Sequence, residues 1–146
     1  MMPQDFTTTL LFSNTPQEVY EAINNVRSWW TENLEGGTHE VNDEFTVTFG
    51  DMHMSTQRIT DLKPNKRVEW LVTYSKLNFV ELKDEWTNTT IVFEITEGPQ
   101  TELRFTHRGL IPQIQCYGGC SKGWAQYING SLHKLLTTGT GAPGKK

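Results

Sequence analysis

Between Phe45 and His107, apolar residues recur at every second position in one stretch after another, and this restricts the fold more than any other feature. "EFTVTFG" alternates Phe45, Val47 and Phe49, and "RVEWLVTYS" alternates Val68, Trp70, Val72 and Tyr74. "TTIVFEIT" and "TELRFTHR" carry Ile91, Phe93, Ile95 and then Leu103, Phe105, His107 on either side of a turn at "EGPQ". A period of two sends successive side chains to opposite faces, so each stretch predicts a strand with one buried face. "MHMSTQRITDL" predicts a weaker strand ending at the turn "KPNK", and "KLNFVELKDEW" suits either a loop or a ragged edge strand. Upstream, "DFTTTLLF" alternates Phe6, Thr8, Leu10 and Phe12 and predicts one more strand.

Two segments break this rhythm. "SNTPQEV" reads as a helix start, with Asn14 or Thr15 as N-cap, Pro16 at the first helical position and Glu18 in the first turn. Val19, Ile23, Val26 and Trp30 follow as one apolar stripe, and Gly36 and Gly37 close a second short helix expected over Trp29 to Leu34. At the other end Trp124, Ile128, Leu132 and Leu135 lie on one stripe, flanked by Tyr127, Ser131 and Leu136, with Gly139 as C-cap. Gly130 is the weak point, because an interior glycine costs a helix about 1 kcal/mol. It suits a helix that must approach another element closely. An antiparallel sheet with one apolar face needs a cover, and only the terminal helix is long enough to supply it. The expectation is an α+β domain over residues 1–141, a curved antiparallel sheet wrapped around a long C-terminal helix. Residues 142–146 are expected as a flexible tail.

Charge narrows the partners. The chain of 146 residues has a formal net charge of −4, which argues against a nucleic-acid surface. No run of eighteen apolar residues exists, so no membrane span is expected. "MMPQDFTTTLLF" lacks the basic start of a secretory signal, which points to the cytoplasm and to free thiols.

The candidate chemistry centres on "CYGGCSKGW". Cys116, Cys120 and His107 make three metal ligands at most, and His39, His53 and His133 have no ligand-like spacing to them, so no metal and no cofactor is expected. Cys120 near a helix N-terminus with His107 as base has the outline of a nucleophile, but nothing supplies the group that would orient the base. The cysteines are therefore read as packing at the start of the helix. Five Trp, seven Phe and four Tyr can fill a core or line a cavity. Trp70, Phe93, Phe105, His107, Trp124 and Ile128, with Trp30 nearby, are the expected cavity residues, His107 supplying the polar tip that orients a ligand. Trp86 follows an acidic patch at a position suited to an opening. Met52 and Met54 suit either a pocket wall or a strand edge. Glu69, Glu85, Glu94 and Glu102 are expected to be outward and solvated, and no carboxylate pair has acid–base spacing.

The closing pattern "FTHRGLIPQIQCYGGCSKGWAQYINGSLHKLLTTGTGAP" resembles the START-like, or SRPBCC, superfamily. "WW" at the end of the first helix, "EW" at Glu85–Trp86 and Gly-Trp opening the last helix carry the same resemblance. Within the superfamily the chain is similar to bacterial proteins resembling the C-terminal domain of the heat-shock protein 90 ATPase activator. The resemblance implies a helix-grip fold with a hydrophobic cavity, and a non-enzymatic domain that binds a hydrophobic or amphipathic small molecule. It also leaves open a co-chaperone-like module that binds a chaperone or another protein, and a polyketide cyclase-type enzyme with His107 as its polar cavity residue.

Overall fold

Every alternating stretch is a strand in the computed structural model, which describes residues 5–78, 80–81 and 83–144. The strands are β1 (Phe6–Phe12), β2 (Leu34–Gly36), β3 (Glu44–Phe49), β4 (His53–Lys63), β5 (Arg67–Leu77), β6 (Thr90–Thr96) and β7 (Thr101–Arg108). They form one antiparallel sheet in the order β1-β7-β6-β5-β4-β3-β2, so the first and last strands in the sequence lie side by side. The alternation becomes a buried face: Val47, Val68, Trp70, Val72, Ile91, Phe93, Leu103, Phe105 and His107 are all fully buried.

Tyr74 departs from its expected place. It pairs with Thr56 while Val72 pairs with Gln57, so Thr73 is an extra residue on β5 and the side-chain alternation inverts beyond it. Tyr74 therefore faces outward, and Ser75 and Leu77 take the inner positions. A second shift places Thr60 as an extra residue on β4. Bulges of this kind bend a strand and increase its twist, which is how the sheet curls around the helix.

The helix α1 (Pro16–Asn24) begins with Thr15 in a reciprocal capping box. Thr15 Oγ1 accepts from the Glu18 amide at 3.1 Å, and Glu18 Oε1 accepts from the Thr15 amide at 2.9 Å. Where a second helix was expected over Trp29 to Leu34, the chain makes a single 3-10 turn, Val26–Ser28, and then enters β2. A continuing helix would turn neighbouring side chains about 100° apart. Leaving the helix lets both Trp29 and Trp30 enter the core, at 0% and 2% exposure.

The C-terminal helix runs for 22 residues as three continuous segments, α2 (Tyr117–Trp124), a π-wound stretch (Ala125–Leu132) and α3 (His133–Thr138). Trp124, Ile128 and Leu132 are buried as expected, and Gly139 ends the helix at φ +87°. Gly130 makes no close approach: a Cβ built there would meet nothing within 4 Å. Nor is the chain loose from residue 142. The Ala142 amide donates to Ser131 Oγ at 2.8 Å, the Gly144 amide to the Trp30 carbonyl at 2.9 Å, and the Glu32 amide to the Gly144 carbonyl at 2.8 Å. These bonds replace the expected tail with a clasp beside the tryptophans; Lys145 and Lys146 lie outside the described residues.

Candidate functional site

All five tryptophans meet in one cluster between sheet and helix. Trp70 on β5 stacks on Trp29 and Trp30, with centroids 6.4 and 5.9 Å apart, and Trp30 stacks on Trp124 at 5.0 Å. Trp124 in turn stacks on Trp86 at 5.5 Å and 10°. Phe93 packs edge-on against Trp70 at 4.9 Å, and Phe105 lies 4.6 Å from Trp124. The middle of the sheet–helix space is thus filled by rings.

The filling stops toward the N-terminal half of the C-terminal helix. There a pocket of about 160 Å³ opens between Trp30, Trp86 and Trp124, Phe49 of β3 and His53 of β4, and Gly119, Cys120, Gly123 and Tyr127 of the helix. Gly123 helps make the room, because a Cβ there would meet nothing within 4 Å. Of the expected cavity residues, Trp30 and Trp124 line this pocket. Trp70, Phe93, Phe105, His107 and Ile128 sit behind it in the core.

His107 shows why. Indole nitrogen only donates, so Trp124 Nε1 donates to His107 Nδ1 at 2.9 Å, which places the ring proton on Nε2. His107 Nε2 then donates to Thr89 Oγ1 at 2.8 Å, and the Thr89 hydroxyl donates to the Trp86 carbonyl. The ring is fully buried and neutral, its pKa lowered to about 3 by burial and then by nearby His53. It holds two walls of the pocket from behind and has no nitrogen to spare.

The polar residue in the pocket is His53. Its Nε2 bonds Ser55 Oγ at 2.8 Å, and Gln57 Nε2 donates to the same oxygen at 2.6 Å. Burial lowers the His53 pKa to about 4, so its ring is also neutral at pH 7. Its ring stands edge-on to Trp86, 4.6 Å between centroids.

The loop before β6 is pinned to the helix. Glu85 is not a free solvated charge, since its carboxylate accepts from the Gln115 amide at 2.8 Å and the Cys116 amide at 2.9 Å, occupying amides at the helix start. Glu69 and Glu94 flank Arg67 at 2.7 and 3.6 Å. Trp86, next in the chain after Glu85, donates from Nε1 to Cys120 Sγ at 3.3 Å. Cys116 and Cys120 are both free and buried. Among the described residues no group of three His, Cys, Asp or Glu is placed to hold a metal.

Sequence reasoning passed over His53, Phe49 and Tyr127. One signal was available: Gly119, Gly123 and Tyr127 recur every fourth residue beside the stripe of Cys120, Trp124 and Ile128. Two side-chain-free positions one turn apart, followed by an aromatic, leave a notch on a helix face.

The sheet wrapped around one long helix is the helix-grip fold of START-like proteins. A sequence model described as "Activator of Hsp90 ATPase homolog 1-like protein" matches residues 13–137. The chain belongs to this family. No curated protein sequence matches it. Among solved structures, the Aha1 dimer from Colwellia psychrerythraea is similar at 25% identity and a TM-score of 0.76, over 94% of this chain and 99% of that one. A Mesorhizobium loti protein is 20% identical with a TM-score of 0.69, over 86% of this chain and 92% of that one. DynU16, a protein of the dynemicin biosynthetic locus, is 17% identical with a TM-score of 0.67, over 94% of this chain and 48% of that one. The last two share the fold with this family member. No helix among the described residues is long and apolar enough to cross a membrane.

Proposed function

We propose that this chain is a non-enzymatic, cytoplasmic START-like domain that holds one small apolar or amphipathic molecule in the aromatic pocket beside Trp30, Trp86 and Trp124. The observation that carries this reading is the pocket itself, an opening in an otherwise filled sheet–helix space. Its volume sets the class of ligand. About 160 Å³ is below the roughly 300–1,000 Å³ of ordinary small-molecule sites, and close to the ~150 Å³ apolar cavity that takes up benzene. A single ring or short chain fits, and a long acyl chain does not. His53 supplies the polar edge. The cyclase reading loses support, because His107, its candidate residue, stands outside the pocket with both ring nitrogens engaged.

Titration with single-ring compounds such as toluene or phenol, followed by tryptophan emission, tests this. Saturable change with a Kd between about 1 mM and 1 μM, roughly −4 to −8 kcal/mol, is expected. Gly123→Leu, which fills the pocket from the helix side, should abolish it. A flat titration of the native chain, or equal saturation of the variant, would sink the proposal.

A protein-interaction role is the second reading. Met52, Met54 and Tyr74 are 53%, 38% and 48% exposed and flank His53 and the outer face of β4 and β5. An exposed apolar cluster is what a chaperone or other protein partner would cover. Co-purification of one stoichiometric partner, lost in a Met52→Ser, Tyr74→Ser variant, would favour this reading over the first.

A further inference from the structure

We infer that Cys120 and Cys116 form a peroxide-reactive dithiol, in which Cys120 attacks a small hydroperoxide entering the aromatic pocket and Cys116 resolves the product as a disulfide. The two residues are one helical turn apart, Cys116 as the N-cap of α2 and Cys120 bonded to it through its amide, at 2.7 Å from the Cys116 carbonyl. Both are buried, at 1% and 7% exposure, and only Cys120 lines the pocket. Access therefore singles out one sulfur.

Hydrogen bonding singles out the same one. Cys120 Sγ accepts the Trp86 indole N–H at 3.3 Å, a donor that stabilises sulfur best when it is a thiolate. The neighbouring Cys116 thiol is the main influence on the Cys120 thiol, as Cys120 is on Cys116. It holds the Cys120 thiol below its ordinary range against the opposing effects of burial and Glu85. The same contact, then burial, pushes Cys116 far up, so Cys116 stays protonated as the resolving partner. Glu85 fixes the backbone of Cys116 by accepting its amide at 2.9 Å.

The pocket decides the oxidant. A narrow, mostly aromatic opening of about 160 Å³ admits hydrogen peroxide or a short alkyl hydroperoxide, and is unsuited to a charged, bulky disulfide such as oxidised glutathione. Cys120 loses its proton and its sulfur bonds the near peroxide oxygen. The O–O bond breaks, and the departing oxygen takes a proton to leave as water or an alcohol. Cys120 is then a sulfenic acid. The Cys116 sulfur attacks it, the S–O bond breaks, and the hydroxyl leaves as water with the Cys116 proton. Two thiols give up two electrons and one peroxide is reduced. The sulfur that accepts the Trp86 indole N–H becomes part of a disulfide, so Trp86 emission reports the reaction.

Peptide mapping tests the assignment, because both cysteines lie in one tryptic fragment, Gly109–Lys122. After brief exposure of the folded chain to a modest excess of hydrogen peroxide, this fragment should lose two hydrogens. Cys116→Ser should instead trap a dimedone adduct on Cys120, whereas Cys120→Ser should leave Cys116 unmodified while folded. A fragment of unchanged mass, under conditions that oxidise the urea-unfolded chain, would overturn the inference. So would dimedone labelling of Cys116 ahead of Cys120. Circular dichroism of each variant separates loss of reactivity from loss of fold.

Discussion

At His107 a proton can be added only by breaking the bond that Nδ1 accepts from Trp124. The ring therefore stays neutral in the folded chain far below the 6.5 of the unfolded state, its folded pKa being about 3. A histidine whose folded pKa is depressed contributes stability that is complete above the unfolded value and is lost as pH falls toward the folded one. Between pH 6.5 and about 4, His107 alone should cost the fold up to ~1.4 kcal/mol per pH unit, with His53 adding to the slope. Urea midpoints measured across this range should fall steadily with pH, and His107→Gln should flatten the slope. A stability that stays level from pH 6.5 to 4 would contradict the buried neutral assignment. His107→Ala should cost about 3 kcal/mol at pH 7, since Trp124 Nε1 and the Thr89 hydroxyl both lose a partner and a cavity remains. The inward position of His107 was legible from its alternation with Leu103 and Phe105. What its ring touches was not, because Trp124 and Thr89 come from other elements.

Glycines on the elements divide into those that hold space and those that do not. Gly130 sits inside the C-terminal helix with nothing near a built Cβ, so Gly130→Ala should stabilise the chain by about 0.5–1 kcal/mol. For a domain of this size that is a rise in Tm of roughly 1–4 °C, readable by thermal denaturation. Gly141→Ala should act in the opposite sense, because its Cβ would collide with the Ser28 carbonyl oxygen. If both variants shifted Tm the same way, the packing of this clasp would be other than described. Thr73 makes a related point about strands. A single extra residue inverts every later side chain on β5, and a period-two pattern carries no mark of where that occurs.

Across the whole molecule, residues 142–144 join the helix to the turn that carries Trp29 and Trp30. Ser131 Oγ donates to the Trp29 carbonyl at 2.6 Å while accepting from Ala142, and Gly144 packs against Phe49, a wall of the pocket. Removing residues 140–146 should cost about 1–3 kcal/mol from the lost bonds, read as a lower Tm than that of the full chain. An unchanged Tm would show that the clasp contributes no stability. The strands β1 and β3 to β7, the start of α1 at Pro16, the stripe of the gripping helix and the α+β architecture are legible along the chain before any folding. All of these follow from local periodicity and capping, which act over a few residues. Which rings fill the sheet–helix space and which border the opening is settled by packing between elements. Trp70, Phe93 and Phe105 are as apolar and as correctly phased as Trp30 and Trp124. Depth in a core depends on the positions of neighbouring elements, which the order of residues along one strand does not carry. The roles of His53 and Cys120 came from the same source, since each takes its place from a tryptophan that is more than thirty residues away in the chain.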